Sequence, residues 1–114
     1  MCESGPATGL PNRGKGRSLT PMIRHIVLWR MKSTSEFDTV RAALQAQLGR
    51  VPGLLRIEVG RSFNTGRRAA DFALVCDFES RDALAAYHQH PVHLETRAIV
   101  DPLVDEHCIA DYEL

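Results

Sequence analysis

Charge of one sign is missing from this 114-residue chain: 14 Lys and Arg stand against 14 Asp and Glu, and the formal net charge is zero. That balance argues against nucleic acid as a main partner, because neutralising phosphates takes a surplus of basic side chains. Long apolar runs are missing too. The longest candidate, Ile23 to Met31, is interrupted by Arg24, His25 and Arg30 and falls short of the ~20 residues that cross a bilayer, so no membrane partner is expected. Cysteine is scarce. Cys2, Cys76 and Cys108 are odd in number and contain no CxxC pair, which gives neither a disulfide framework nor a zinc knuckle. Cys76 and Cys108 lie in apolar stretches and read as small buried hydrophobes of a reduced, cytoplasmic compartment, with a bond between them as the alternative. No P-loop, GxGxxG or GxSxG motif is present, so nucleotide and serine-hydrolase chemistry have no support.

What remains is the composition of one soluble domain, 44% hydrophobic and 25% charged, too short for two packed domains. Residues 1–21, MCESGPATGLPNRGKGRSLTP, are rich in Gly, Pro, Ser and Thr and carry only two isolated leucines. They bury too little apolar surface to offset their ordering entropy. A disordered N-terminal extension is expected there, either a start opened upstream of the domain or a basic tail, with the folded domain over 22–114.

Within the domain the hydrophobic period changes from segment to segment. Residues 22–31 are β-rich, with Ile23, His25, Val27, Trp29 and Met31 on one face and Arg24, Ile26, Leu28 and Arg30 on the other. Ser33 and Glu36 have the spacing of a capping box. Phe37, Val40, Leu44, Leu48 and Val51 follow at steps of three and four, so a helix is expected over 35–50, ended by Gly49 and the turn Val51-Pro52-Gly53. Residues 54–63 alternate, with Leu55, Ile57, Val59 and Phe63 on one face. A polar turn over 64–68 leads to a strand over 70–78 carrying Phe72, Leu74, Cys76 and Phe78. Ser80 caps a short helix with Leu84 and Tyr87, Pro91 opens another helix that runs to about Val100, and residues 107–112 close the chain as a strand.

The order β-α-β-β-α-β is that of an α+β, ferredoxin-like protomer with a four-stranded antiparallel sheet and its helices on one face. The other sheet face, with Ile26 and Leu28, is semi-apolar and asks for cover. Two such sheets packed face to face form a dimeric barrel, so a homodimer is expected.

The opening Met22-Ile-Arg-His-Ile-Val-Leu-Trp-Arg, the Val51-Pro-Gly-Leu turn before Val59-Gly60, and Tyr87-His-Gln-His-Pro-Val-His93 with the terminal Asp111-Tyr112 occur in one order over 22–112. Together they resemble the stress-responsive A/B barrel domain family, also called Dabb or dimeric α/β barrel proteins. The resemblance implies a ferredoxin-like protomer and a barrel-forming homodimer. It implies less about activity. One plant member, a polyketide (olivetolic acid) cyclase, closes a poly-β-keto chain by intramolecular aldol condensation. Its working tyrosine and histidine correspond to Tyr87 and His93, and two further histidines to His25 and His90. By this resemblance the chain binds a small apolar or polyketide-like ligand in a cavity. His25, with Val27 and Trp29 beside it on the same strand face, and His90 are the expected contacts.

The same residues carry a chemical reading of their own. With Pro91 first in its helix, His90 stands at the N-cap and His93 in the first turn, where the positive helix end disfavours an imidazolium. A neutral His93 is a general base, and Tyr87 is a donor to a carbonyl oxygen gathering negative charge. The structural alternative has His90 capping the helix, His93 bonded to a carbonyl or carboxylate, and Tyr87 packed in the core, which leaves a non-catalytic stress-responsive dimerisation module. A third reading, a haem-degrading or antibiotic-biosynthesis monooxygenase on the same barrel, needs an axial haem ligand. His88, His90 and His93 straddle a helix break without Cys or Glu to complete a tetrahedral set, so neither a metal nor a cofactor is expected.

Overall fold

The computed structural model describes residues 20–114; apart from its last two positions, the extension expected over 1–21 lies outside the described residues. β-branched and aromatic residues alternate through β1 (Ile23–Met31), and a short 3-10 turn (Thr34–Glu36) leads into α1 (Phe37–Gln45). β2 (Leu54–Arg61) and β3 (Phe72–Phe78) form an antiparallel pair. α2 (Arg81–Gln89) and α3 (Pro91–Val100) follow, and a 3-10 turn (Asp101–Leu103) delivers β4 (Val104–Glu113). The sheet order is β2-β3-β1-β4, with every neighbouring pair antiparallel. This is the ferredoxin-like α+β arrangement.

The helices cover the face that carries Ile23, His25 and Val27 from β1 and Phe72, Leu74, Cys76 and Phe78 from β3. Phe37, Val40 and Leu44 of α1 and Leu84 and Tyr87 of α2 close the core over them. Burying a side chain such as Phe72 or Leu74 contributes about 1.5–3 kcal/mol. On the opposite face Ile26 and Leu28 stand beside Val75, Ala73 and Ala110, with no helix or strand of the described residues over them. That apolar strip is bounded by Asp77, which accepts two hydrogen bonds from Arg24 at 2.8 and 3.0 Å and has Arg56 at 3.6 Å.

Four local expectations are corrected. The Ser33 hydroxyl bonds Ser35 at 2.8 Å instead of capping the helix, so α1 starts at Phe37. α1 ends at Gln45 and passes into turns, which rotates Leu48 to the surface and Gln47 into the core. Leu55 is the extra residue of a bulge, since Leu54 pairs with Phe78 and Arg56 with Asp77, and it faces outward. β2 stops at Arg61, and Phe63 is 98% exposed. Cys76 carries a free thiol. It faces the helices while Cys108, opposite Leu28, lies on the other side of the sheet, so the two do not pair.

Candidate functional site

Between the sheet and α2 and α3 lies a cavity of about 390 Å³. Its apolar wall comes from Val27 and Trp29 of β1, Leu44, Leu74, Val100 and Ile109. β4 is an edge strand, which leaves Ile109 half exposed and opens the cavity along that edge. Four rings converge on its wall: His25 from β1, Tyr87 and His88 from α2, and His93 from α3.

Local sequence puts them there. Ser80 accepts from the Ala83 N–H at 3.0 Å and starts α2. Tyr87 then falls on the same buried face as Leu84, and only 1% of it is exposed. α2 ends at Gln89 because His90 takes an extended backbone before Pro91. His90 Nδ1 accepts from the Val92 N–H at 3.1 Å and Pro91 occupies the first helical position, so a second helix starts at once. This break turns α3 back across the sheet and brings the His93 ring to 4.0 Å, centre to centre, from that of Tyr87. His88 stands 5.7 Å from Tyr87, 6.1 Å from His93 and 6.0 Å from His25.

His93 Nδ1 lies 3.1 Å from Gln47 Oε1. Burial pushes its pKa down to about 4, helped by His88, Arg97 and His25 and opposed by Asp101. The neutral imidazole expected from the helix end therefore arises chiefly from desolvation. Burial also pushes the Tyr87 hydroxyl well above the usual phenol range, with Cys76 adding to the effect and Gln47 opposing it, so it stays protonated and able to donate. His25, 4% exposed, donates from Nδ1 to Asp111 Oδ1 at 2.5 Å across the β1–β4 pair.

Of the residues singled out from the sequence, Tyr87, His93, His25, Val27 and Trp29 line this cavity. His90 is not among its lining residues; its ring nitrogen is engaged in capping α3. Three contributors were not assigned to the cavity from the sequence. Gln47 continues the phase of the apolar stripe of α1 into the turn that follows, three residues after Leu44 and four before Val51, and a polar residue at that phase was the available signal. His88 directly follows Tyr87. Asp111 reaches His25 through strand pairing, which no local pattern shows. Among the described residues, no three His, Cys, Asp or Glu side chains are grouped to hold a metal ion, and no helix is long and apolar enough to cross a membrane.

The model of the stress-responsive A/B barrel domain, Dabb, matches residues 23–114. The chain belongs to the Dabb family. A stress-response A/B barrel domain-containing protein of Arabidopsis thaliana is 23% identical over 96 residues, covering 82% of this chain and 86% of that protein. A crystal structure described as a dimeric ferredoxin-like protein of unknown function from Thermobifida fusca superposes with a TM-score of 0.74 at 27% identity, over 84% of this chain and 93% of that one. The hydroxynitrile lyase of Passiflora edulis shares the fold with a TM-score of 0.72 at 20% identity, over 82% of this chain and 94% of the lyase.

Proposed function

We propose that this Dabb chain is a cytoplasmic homodimer whose cavity binds a small, mostly apolar carbonyl compound and moves a proton at the carbon beside the carbonyl. The observation that carries this reading is the pairing of a neutral imidazole, His93, with a protonated phenol, Tyr87, on the wall of one apolar cavity. A volume of about 390 Å³ is in the range of small-molecule sites. His93 takes the proton from the carbon, and the C–H electron pair moves into the enolate. Tyr87 donates a hydrogen bond to the enolate oxygen, which is where charge develops. Where the same molecule offers a second carbonyl, the enolate carbon attacks it, and the resulting alkoxide recovers the proton from the imidazolium. This is the polyketide-cyclase-like aldol closure, and it needs no cofactor. The dimer is proposed from the apolar strip around Ile26 and Val75, which no described helix covers, and from the dimeric description of the Thermobifida fusca relative.

The test is deuterium exchange at the α-carbon of 4-phenylbutan-2-one, followed by proton NMR in D2O. Wild type accelerates it, and Tyr87→Phe and His93→Ala each lower the rate by roughly 100-fold or more while the dimer persists. Exchange that survives both substitutions removes these residues from the mechanism.

A second reading, a dimerisation module without catalysis, draws on the bonds that the motif already makes: His90 caps α3 and His93 bonds Gln47. In that case His93→Ala lowers the melting temperature but leaves any ketone-induced shift unchanged.

A further inference from the structure

We infer that Gln47 is a positioning residue that holds His93 in the Nδ1–H tautomer and so presents the unprotonated Nε2 to the cavity. What Nε2 does there rests on the function proposed above; the tautomer itself does not.

Gln47 has no exposed surface. Its backbone is fixed in the turn after α1, donating to the Leu44 carbonyl at 3.3 Å and accepting from the Arg50 N–H at 3.0 Å. Its side-chain Nε2 also donates to the Leu44 carbonyl, at 3.1 Å. That bond settles which way the amide lies. Rotating it by half a turn would set its oxygen against the Leu44 oxygen, two acceptors with no hydrogen between them, in a site closed to water. The amide oxygen is therefore the atom that meets His93 Nδ1 at 3.1 Å. An amide oxygen only accepts, so His93 must donate from Nδ1, and a neutral imidazole then has no hydrogen on Nε2.

The direction of the other nitrogen follows. Gln47 does not line the cavity, whereas His93 does. Nδ1 is turned to Gln47 in the turn after α1, which leaves Nε2 as the ring nitrogen available to the cavity that His93 lines. Nε2 has no hydrogen-bond partner among the described residues. A solvated neutral imidazole favours the opposite tautomer, with its proton on Nε2, and in that form the cavity would meet a donor. Gln47 reverses this preference, and it does so from the turn after α1, a segment with no histidine of its own.

Selective 15N labelling of histidine with long-range proton–nitrogen correlation at neutral pH reads both ring nitrogens of His93 directly. Wild type is expected to show a protonated Nδ1 and a bare Nε2. Gln47→Leu removes the acceptor at similar volume and is expected to move the proton to Nε2 in most molecules, with ketone exchange falling at least tenfold. Gln47→Met removes the acceptor with a second apolar side chain of similar length and is expected to move the proton to Nε2 as well. A wild-type spectrum with Nε2 protonated overturns the inference, as does an unchanged tautomer in Gln47→Leu. Should Gln47→Leu fail to fold, the wild-type and Gln47→Met spectra decide alone. The expected wild-type tautomer without any ketone exchange would sink the proposed chemistry and leave the role of Gln47 standing.

Discussion

His93 and Asp77 are pushed to low pKa by opposite means, one by losing water and the other by gaining a partner. Between about pH 6.5 and 4 the unfolded chain takes a proton on residue 93 that the folded chain refuses. The unfolded state then binds more protons, so stability held above the upper value is lost as pH falls towards the lower one. Asp77 is held below the ordinary carboxylate range by its hydrogen bonds to Arg24, with Arg56 adding charge. Its contribution is present above the unfolded value of about 3.9 and is lost as pH falls through the lower folded value. Two windows result. In urea midpoints measured from pH 7 to 3, His93→Ala flattens the decline between about 6.5 and 4, and Asp77→Asn flattens the part below. At pH 7 Asp77→Asn costs about 1.5–3 kcal/mol, the value of charged hydrogen bonds. The same low pKa of His93 keeps the base unprotonated, so the acid limb of ketone exchange is expected near pH 4 and not near 6.5.

At this scale the sequence was partly legible. Tyr87 and His93 stood out because they share a seven-residue segment around a proline. Gln47 did not, because the step to Leu48 fits a helical stripe equally well until the helix end is known.

At the scale of elements, two glycines with nearly equal angles should respond differently to the same change. Gly49 has φ 86° and nothing within 4 Å of an added Cβ, while Gly53 has φ 83° and would set a Cβ 2.6 Å from that of Ala83. Gly49→Ala is expected to cost about 1–2 kcal/mol, the penalty of a left-handed residue. Gly53→Ala adds overpacking of another ~1–3 kcal/mol and loosens α2 from the 51–54 turn. Thermal unfolding of the two variants makes the comparison, and equal losses would contradict it. Ser80→Ala, which removes the acceptor for the Ala83 N–H, is expected to cost about 1 kcal/mol.

The order and type of every strand and α-helix were readable because the period changes from two to 3.6 and back, with proline and glycine at the joints. Ends were less so. The start of α1 slipped because Ser33 finds Ser35 first, and the bulge at Leu55 is set by pairing with β3, which lies 17 or more residues away in the chain.

For the whole molecule, the strip through Ile26, Leu28, Val75 and Ala110, which no described helix covers, is expected to govern assembly. Sedimentation equilibrium is expected to give twice the chain mass of 12.7 kDa. Ile26→Glu, which points away from the core, is expected to give a folded monomer, since an unpaired charge does not stay buried between two sheets. Two semi-apolar faces on β1 were visible in the sequence. The cavity was not, because its volume depends on the angle at which α3 crosses the sheet after the break at His90 and Pro91.

The most direct test of the site is a crystal structure determined with 4-phenylbutan-2-one. The expected result is the ketone in the cavity, its oxygen within hydrogen-bond distance of the Tyr87 hydroxyl and its α-carbon facing His93 Nε2. A ketone bound elsewhere, with Tyr87 and His93 untouched, would contradict the account.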